Sequence, residues 1–446
     1  MENINNQRYI APKKNLLFLN TIFIKIVLCF LSGLIFSWNC MISFEMNNIQ
    51  IKATAIMILV LSIYNVLICI GNWYLTIIFS CIAYCNYSII MVNYLSRIYN
   101  TLFTSLADEL VAKIGINILL LFILVLTVLL PNKINKKSFH KNPIIYKKNR
   151  NNFIVLGICL ILILILIFGF GRSDVRGERG SPTQIYEYSI IFFILGFYFC
   201  GNTKFNISML TIILALYALQ NFIYGGRVTG LQLIVCWFIM VRSYKTNIYK
   251  ALPWILILFV FMSLIGIFRA NFNLSIDCLK NTVKELMQKK FSLDTAYSAY
   301  HTSLTFIKAE FISSNAVRLK MFKKFLLSMI LGGSRVENSS LAEFTRKYFV
   351  HYNGGILPFF SHYYLGWFGV VFSAVIVSLY CRLINKLDFN TNGLKKCISV
   401  FLVCHVFRWY LYSPSGLIRG VGLVIITYYV AYFFDLITKQ KAASKQ

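Results

Sequence analysis

The sequence is poor in acid. Only 15 of its 446 residues are Asp or Glu against 44 Lys or Arg, a formal net charge of +29. The carboxylates are scattered, with no cluster of the density that holds a divalent metal. Histidine is scarcer, at five residues, and no HExxH zinc motif occurs. Twelve cysteines are present but no CxxC pair, which points away from a disulfide framework and from a metal site. A phosphate-binding nucleotide loop, a serine nucleophile elbow and a dinucleotide fingerprint are also missing. A soluble-type ATPase or metalloprotease is thereby excluded, and no cofactor is expected. The chain lacks internal repeats and low-complexity tracts. No small-residue cleavage site follows the first apolar run, so that run reads as an uncleaved helix.

What is abundant is apolar surface. The composition is 58% hydrophobic and 16% aromatic, with mean hydropathy +0.68. That implies an all-α polytopic integral membrane protein. Runs long enough to span, separated by polar breaks, give about twelve helices. Their cores are 17–38, 53–70, 73–94, 114–130, 153–170, 186–200, 207–223, 229–241, 252–268, 363–383, 397–412 and 417–434. Most cysteines lie inside these runs, where they act as small apolar residues. Lys25 interrupts the first run and reads as a side chain snorkelling to the cytoplasmic face.

Charge orients the helices. The loop Pro131–Asn152 carries Lys133, Lys136, Lys137, Lys141, Lys147, Lys148 and Arg150 with no acid, so it belongs in the cytoplasm. Counting from it puts both termini inside. It also leaves one long segment outside, from about Arg269 to His362. Three regions follow: 1–268 with nine spans, 269–362 as a periplasmic loop with amphipathic helices, and 363–446 with three spans and a cytoplasmic tail. Helical patterns in the loop cover Asp277–Lys290 and Val317–Ile330. The second alternates Lys320, Lys323 and Lys324 with apolar residues, as in a helix on a membrane surface. The basic excess is explained by topology, and without a compact basic domain nucleic acid is not an expected partner.

Arginine departs from this pattern. Eleven of fifteen arginines fall outside on this map, against roughly eleven of twenty-nine lysines. A guanidinium fork binds phosphate bidentately, whereas an ammonium is a mobile point charge. Outer arginines therefore suggest a membrane-borne anion such as a lipid pyrophosphate.

Four outer stretches carry that chemistry. Gly169–Gly180 holds Arg172, Arg176 and Arg179 with Asp174 and Glu178 among glycines. Gly225–Gly230, GGRVTG, sets Arg227 at a helix start, where backbone N–H groups favour anions. Its glycines would let backbone approach a ligand closely. Arg269 joins Gly332–Phe344 and His351–Gly369, which supply Arg335, Glu337, Glu343, His351 and His362. Arg408–Gly420 puts Arg408 and Arg419 around a short turn bordered by Trp409, Tyr410 and Tyr412. Arg318 and Arg346 read as loop surface charge. The expected pyrophosphate ligands are Arg172, Arg176, Arg227, Arg269, Arg335, Arg408 and Arg419. Glu343, His351, Asp174 and Glu337 are the candidate general bases.

The pattern resembles the O-antigen polymerases, the Wzy family. GGRVTG opening a helix, the large late loop, and its exit NGGILPFFSHYYLGWFGVV, Asn353–Val371, carry the resemblance. It implies a GT-C-like membrane glycosyltransferase joining oligosaccharide repeat units carried on undecaprenyl pyrophosphate, with a chain-length regulator protein as a further partner. The related O-antigen ligase and a flippase for lipid-linked oligosaccharides are the alternatives. Some members carry an Arg with Gly eleven positions later in periplasmic loops. Here only Arg382 and Gly393 have that spacing, in an expected cytoplasmic position, so that motif is not carried over.

Overall fold

A computed structural model describes residues 11–443 apart from 97–107, 136–145, 148–149, 172–180, 202, 225, 247–249, 252, 255–256, 258–260, 262–263, 265–274, 293, 353 and 389. The chain is helical almost throughout. In order come α1 (Ala11–Met41), α2 (Asn48–Cys69), α3 (Trp73–Ile90), α4 (Glu109–Leu129), α5 (Asn152–Phe168), α6 (Gln184–Glu187), α7 (Ser189–Phe199), α8 (Lys204–Ile223) and α9 (Arg227–Trp237). There follow α10 (Ile276–Gln288), α11 (Asp294–Ile312), α12 (Asn315–Leu331), α13 (Leu341–Arg346), α14 (Leu357–Asn385), α15 (Gly393–Cys404), α16 (Val406–Leu411) and α17 (Ser415–Ala443).

Among the described residues, seven helices are long and apolar enough to cross a membrane: those of α1, α2, α3, α4, α8, α14 and α17. Two further apolar helices, α5 and α7, are shorter. The expected core 397–412 is divided at His405 into α15 and α16, and 229–241 is an eleven-residue α9 continued by a π turn over Phe238–Arg242. The expected core 252–268 lies largely outside the described residues.

The bundle has a buried apolar core, exposes further apolar side chains outward, and holds a few polar ones inside. Phe23, Phe30, Leu160, Phe168, Ile212 and Phe433 are exposed, while Asn39, Asn65, Asn86 and Asn117 are buried. The buried amides tie helices together. Asn39 Nδ2 donates to Asn117 Oδ1 at 2.8 Å, Asn65 Nδ2 to Thr127 Oγ1 at 2.8 Å, and Asn86 Nδ2 to Ser62 Oγ at 3.0 Å. That is how helices associate where water supplies no hydrophobic drive; each such bond contributes about 0.6–2 kcal/mol.

The lysine-rich loops meet at one end of the bundle. Asn135 N donates to Asn385 Oδ1 at 2.8 Å, and Arg382 Nη2 to Leu129 O at 3.1 Å. Lys25 Nζ reaches Leu130 O at 2.7 Å and Asn132 Oδ1 at 2.8 Å, so this lysine caps the C-terminal end of α4. Lys147 and Asp435 form an ion pair there, with Lys439 joining Asp435 at 3.0 Å.

The segment between Arg269 and His362 contains more than surface helices. The two expected patterns are α10 and α12, but between them α11 inserts into the bundle against α3, α4 and α14. Its Tyr300, Thr302, Ser303 and Thr305 are buried. Ser303 Oγ accepts from Ile356 N at 2.8 Å, and the Tyr300 and Tyr94 hydroxyls are hydrogen-bonded. Hydropathy misses α11 because Ser, Thr and His dilute its apolar face.

Candidate functional site

Residues from four distant stretches converge at the other end of the bundle. The first stretch is drawn in by a two-residue clip, Phe170 pairing with Pro182 and Gly171 with Ser181. The clip closes the base of the glycine-rich loop and delivers α6, which Thr183 caps by accepting from Tyr186 N at 3.4 Å. Glu187 at the end of α6 meets Arg408 Nη1 at 3.0 Å. Arg408 Nη2 donates to Thr229 Oγ1 on α9 at 2.7 Å. One guanidinium thus joins α16, α6 and α9. Its Nε is buried with no hydrogen-bond partner.

Arg419 makes a second bridge. From α17 its Nη2 donates to Gln184 Oε1 at 3.1 Å, and its guanidinium lies 5.6 Å from the Tyr188 ring centroid. Gly332 closes the third side. It ends α12 at φ +99°, and a Cβ there would stand 3.4 Å from Arg419 Nη2. His405, at the α15–α16 break, supports the group from within: its Nδ1 lies 3.1 Å from Gln232 Nε2 and its ring stacks on Tyr188.

Arg419 and Gln184 open onto a cavity of about 340 Å³, which Arg408, Glu187 and Thr229 do not line. Gln184, Glu343, Arg419, Tyr412, Ser413 and Ser415 are among its polar lining residues, with Phe325 and Phe360 among the apolar ones. Ser340 Oγ caps α13 by accepting from Glu343 N at 3.3 Å, and the Glu343 side chain is exposed. The site offers a fixed guanidinium, a carboxylate and hydroxyls in one recess. Among the described residues no group of three or more His, Cys, Asp or Glu could hold a metal ion.

The other expected site residues are placed differently. Arg172, Asp174, Arg176 and Arg269 lie outside the described residues. Arg227 opens α9 two residues before Thr229 and is half-exposed. The glycines beside it serve packing: a Cβ on Gly226 would stand 2.5 Å from Asn221 Oδ1, and one on Gly230 2.3 Å from the Phe222 ring. They bring α9 against α8, so close helix approach accounts for them without a ligand. Arg335 and Glu337 are exposed and do not line the cavity; Glu337 Oε1 accepts from Asn338 Nδ2 at 3.4 Å. His351 is buried with both ring nitrogens engaged, Nε2 with Thr345 Oγ1 at 2.8 Å and Nδ1 with Tyr352 O. Burial holds its pKa below the ordinary value, and the nearby Arg346 charge adds to this against the Tyr352 bond. Of the described candidate bases, Glu343 alone faces the cavity.

Gln184, Glu187 and Tyr188 were not expected. One signal was legible: Glu187 is an acid at the head of an apolar run, where a charge is costly without a partner. Glu310, near the end of α11, was also not expected. Its Oε1 meets Arg318 Nη1 at 2.9 Å and its Oε2 lies 3.0 Å from His362 Nδ1. Arg318 Nε also donates to Tyr363 O at 2.6 Å. Arg318 is therefore not free surface charge; it pins the α11–α12 turn to α14.

The chain matches no protein-family model, no curated protein and no solved structure.

Proposed function

We propose that this chain is a bacterial inner-membrane glycosyltransferase that polymerises undecaprenyl-pyrophosphate-linked oligosaccharide units into O-antigen at the periplasmic face. In this reading both termini are cytoplasmic, and the helices, including α15–α16 and the segment 252–268, make twelve spans of GT-C-like arrangement. The observation that carries it is the meeting of Arg419 and Glu343 in one recess, lined also by Gln184 of α6, the helix that Arg408 holds through Glu187. These residues come from chain segments that charge patterning puts on one side of the membrane.

The chemistry fits that residue set. An acceptor sugar hydroxyl attacks the anomeric carbon of the donor, forming a glycosidic C–O bond. The bond from that carbon to the pyrophosphate oxygen breaks, and the lipid pyrophosphate leaves with both electrons. Negative charge grows on the leaving oxygen, and preorganised guanidinium groups stabilise it. Arg419 is the proposed ligand, held by Gln184 and Tyr188. Arg408 orders the wall behind it. Glu343 takes the hydroxyl proton.

Deletion in the native host tests this reading. Lipopolysaccharide capped with a single repeat unit is the expected result. Uncapped lipopolysaccharide with accumulated lipid-linked polymer would instead identify a ligase, and units left unflipped would identify a flippase.

A further inference from the structure

The helix α14 does not run straight. At Gly366 its backbone takes φ +62° and ψ −150°, a conformation that belongs almost wholly to glycine. Nothing lies within 4 Å of a Cβ there, so this glycine serves the turn and not a crowded contact. A Cβ on Gly369, just past the break, would collide with the Ser361 carbonyl, so the two halves of the helix meet at their backbones. We infer that Arg318 is a positioning residue of the recess: it caps this break and so fixes the angle at which the first half of α14 carries Phe360 into the recess. The inference rests on the recess being the working site, as the polymerase reading has it.

A helical ladder cannot cross such a residue, so carbonyls in the turn before it lose their in-helix donors. Where water is scarce, those carbonyls must find partners within the protein. Arg318 supplies them from α12. Its Nε donates to Tyr363 O at 2.6 Å and its Nη2 to His362 O at 3.4 Å. Its Nη1 meets Glu310 Oε1 on α11 at 2.9 Å. Glu310 Oε2 in turn lies 3.0 Å from Nδ1 of the buried His362, and the guanidinium lies 5.9 Å from the Tyr363 ring centroid. A cation at the C-terminal end of a half-helix also complements the helix dipole. One planar head thus holds two successive carbonyls and one carboxylate, a task for which the guanidinium fork is suited.

The two halves of α14 rest on different parts of the bundle. The first, before Gly366, packs on α11 and α12: Phe360 meets Phe306 with ring centroids 4.8 Å apart, and Tyr364 stacks on Phe325 at 5.2 Å. Phe360 and Phe325 both line the recess. The second half is anchored elsewhere. Trp367 packs on Phe36 and Phe44 at 5.6 Å and 5.3 Å, and Ser378 Oγ donates to Leu129 O at the end of α4 at 3.2 Å. The bonds of Arg318 therefore act on the first half. Without them that half keeps its apolar contacts but loses the tie that sets its direction, and Phe360 shifts with it.

The test is hydrogen–deuterium exchange read by mass spectrometry on the full-length protein in detergent, with O-antigen laddering in the native host beside it. Arg318→Met keeps the apolar stem and removes the donors. Expected is several-fold faster exchange over 357–365, an unchanged rate over 370–385, and a several-fold loss of long polymer. Glu310→Gln removes only the counter-ion and should give the same local pattern at smaller amplitude, which keeps the test open if Arg318→Met does not fold. Gly366→Ala should also reduce polymer, and adding Arg318→Met to it should reduce polymer little further, because both changes act on one break. Equal acceleration on both sides of Gly366, or none on either, overturns the role of Arg318. So does parental polymer from Arg318→Met when the local acceleration is present, since the first half of α14 would then not serve the recess. A deletion strain without single-unit capping sinks the polymerase reading alone, and the exchange pattern still decides whether Arg318 holds the break.

Discussion

Arg408 and Glu187 lie 221 positions apart in sequence and meet at 3.0 Å. Thr229 completes the arrangement by accepting from the same guanidinium at 2.7 Å. Neither partner of Arg408 is near it in the chain, so the bridge exists only when α6, α9 and α16 are assembled. Removing one partner leaves a half-buried charge without its counter-ion.

Glu187→Gln therefore loses a charge-assisted bond and costs about 1–3 kcal/mol of stability. Arg408→Lys should be comparably damaging, because an ammonium cannot span Glu187 and Thr229 with one planar fork. Thermal unfolding of the purified variants in detergent measures both. A melting temperature equal to that of the parent for both variants would refute the bridge as a structural tie.

Arg419→Ala is expected to abolish O-antigen laddering while leaving membrane insertion intact. Loss of one preorganised donor to a developing oxyanion costs roughly 10²–10³ in rate. Arg419→Lys should also fail, since the bond to Gln184 and the approach to Tyr188 depend on the planar head. Ladders of parental length and intensity from both variants would sink the clamp.

Gly332 and Gly333 offer a paired test. Alanine at 332 must adopt a left-handed backbone and bring its Cβ near the Arg419 guanidinium, whereas nothing lies within 4 Å of a Cβ at 333. Gly332→Ala should cost about 1–2 kcal/mol, and Gly333→Ala much less. Equal melting temperatures for the two variants would contradict the strained cap.

His351 predicts an acid-sensitive turn. Its pKa is lowered in the folded state by burial, so the unfolded chain binds the proton more readily. The stability it contributes is complete above the ordinary histidine range, near pH 6.5, and falls as pH drops below that range. The parent should lose more stability between pH 7.5 and pH 5.5 than His351→Asn does. Identical losses would show that the ring does not titrate with folding.

Much of the architecture was legible in the sequence. Apolar runs located α1 to α5, α7 to α9, α14 and α17, because the length that crosses a bilayer is set by the rise of a helix and is read directly from hydropathy. Charge patterning grouped the loops at Asn135 and Asn385, and these loops touch. The stretches with Arg408, Arg419 and Glu343 were also singled out by residue type alone. Hydropathy failed at α11, whose buried face mixes Tyr300 and Leu304 with Thr302, Ser303 and Thr305. Such a helix satisfies its polar side chains within the bundle, and average hydropathy cannot register that.

Composition and periodicity determined that this chain forms apolar helices separated by basic breaks, since both properties are local. Tertiary structure alone decided which arginines act together. Arg408 found Glu187 and Thr229, Arg419 found Gln184 and Tyr188, and Arg318 left the surface for Glu310. His351 became a turn clip instead of an open base. The reason is physical: a charged side chain in a poorly hydrated setting takes the partner that helix packing brings within reach, and packing is set by shape complementarity between residues far apart in the chain.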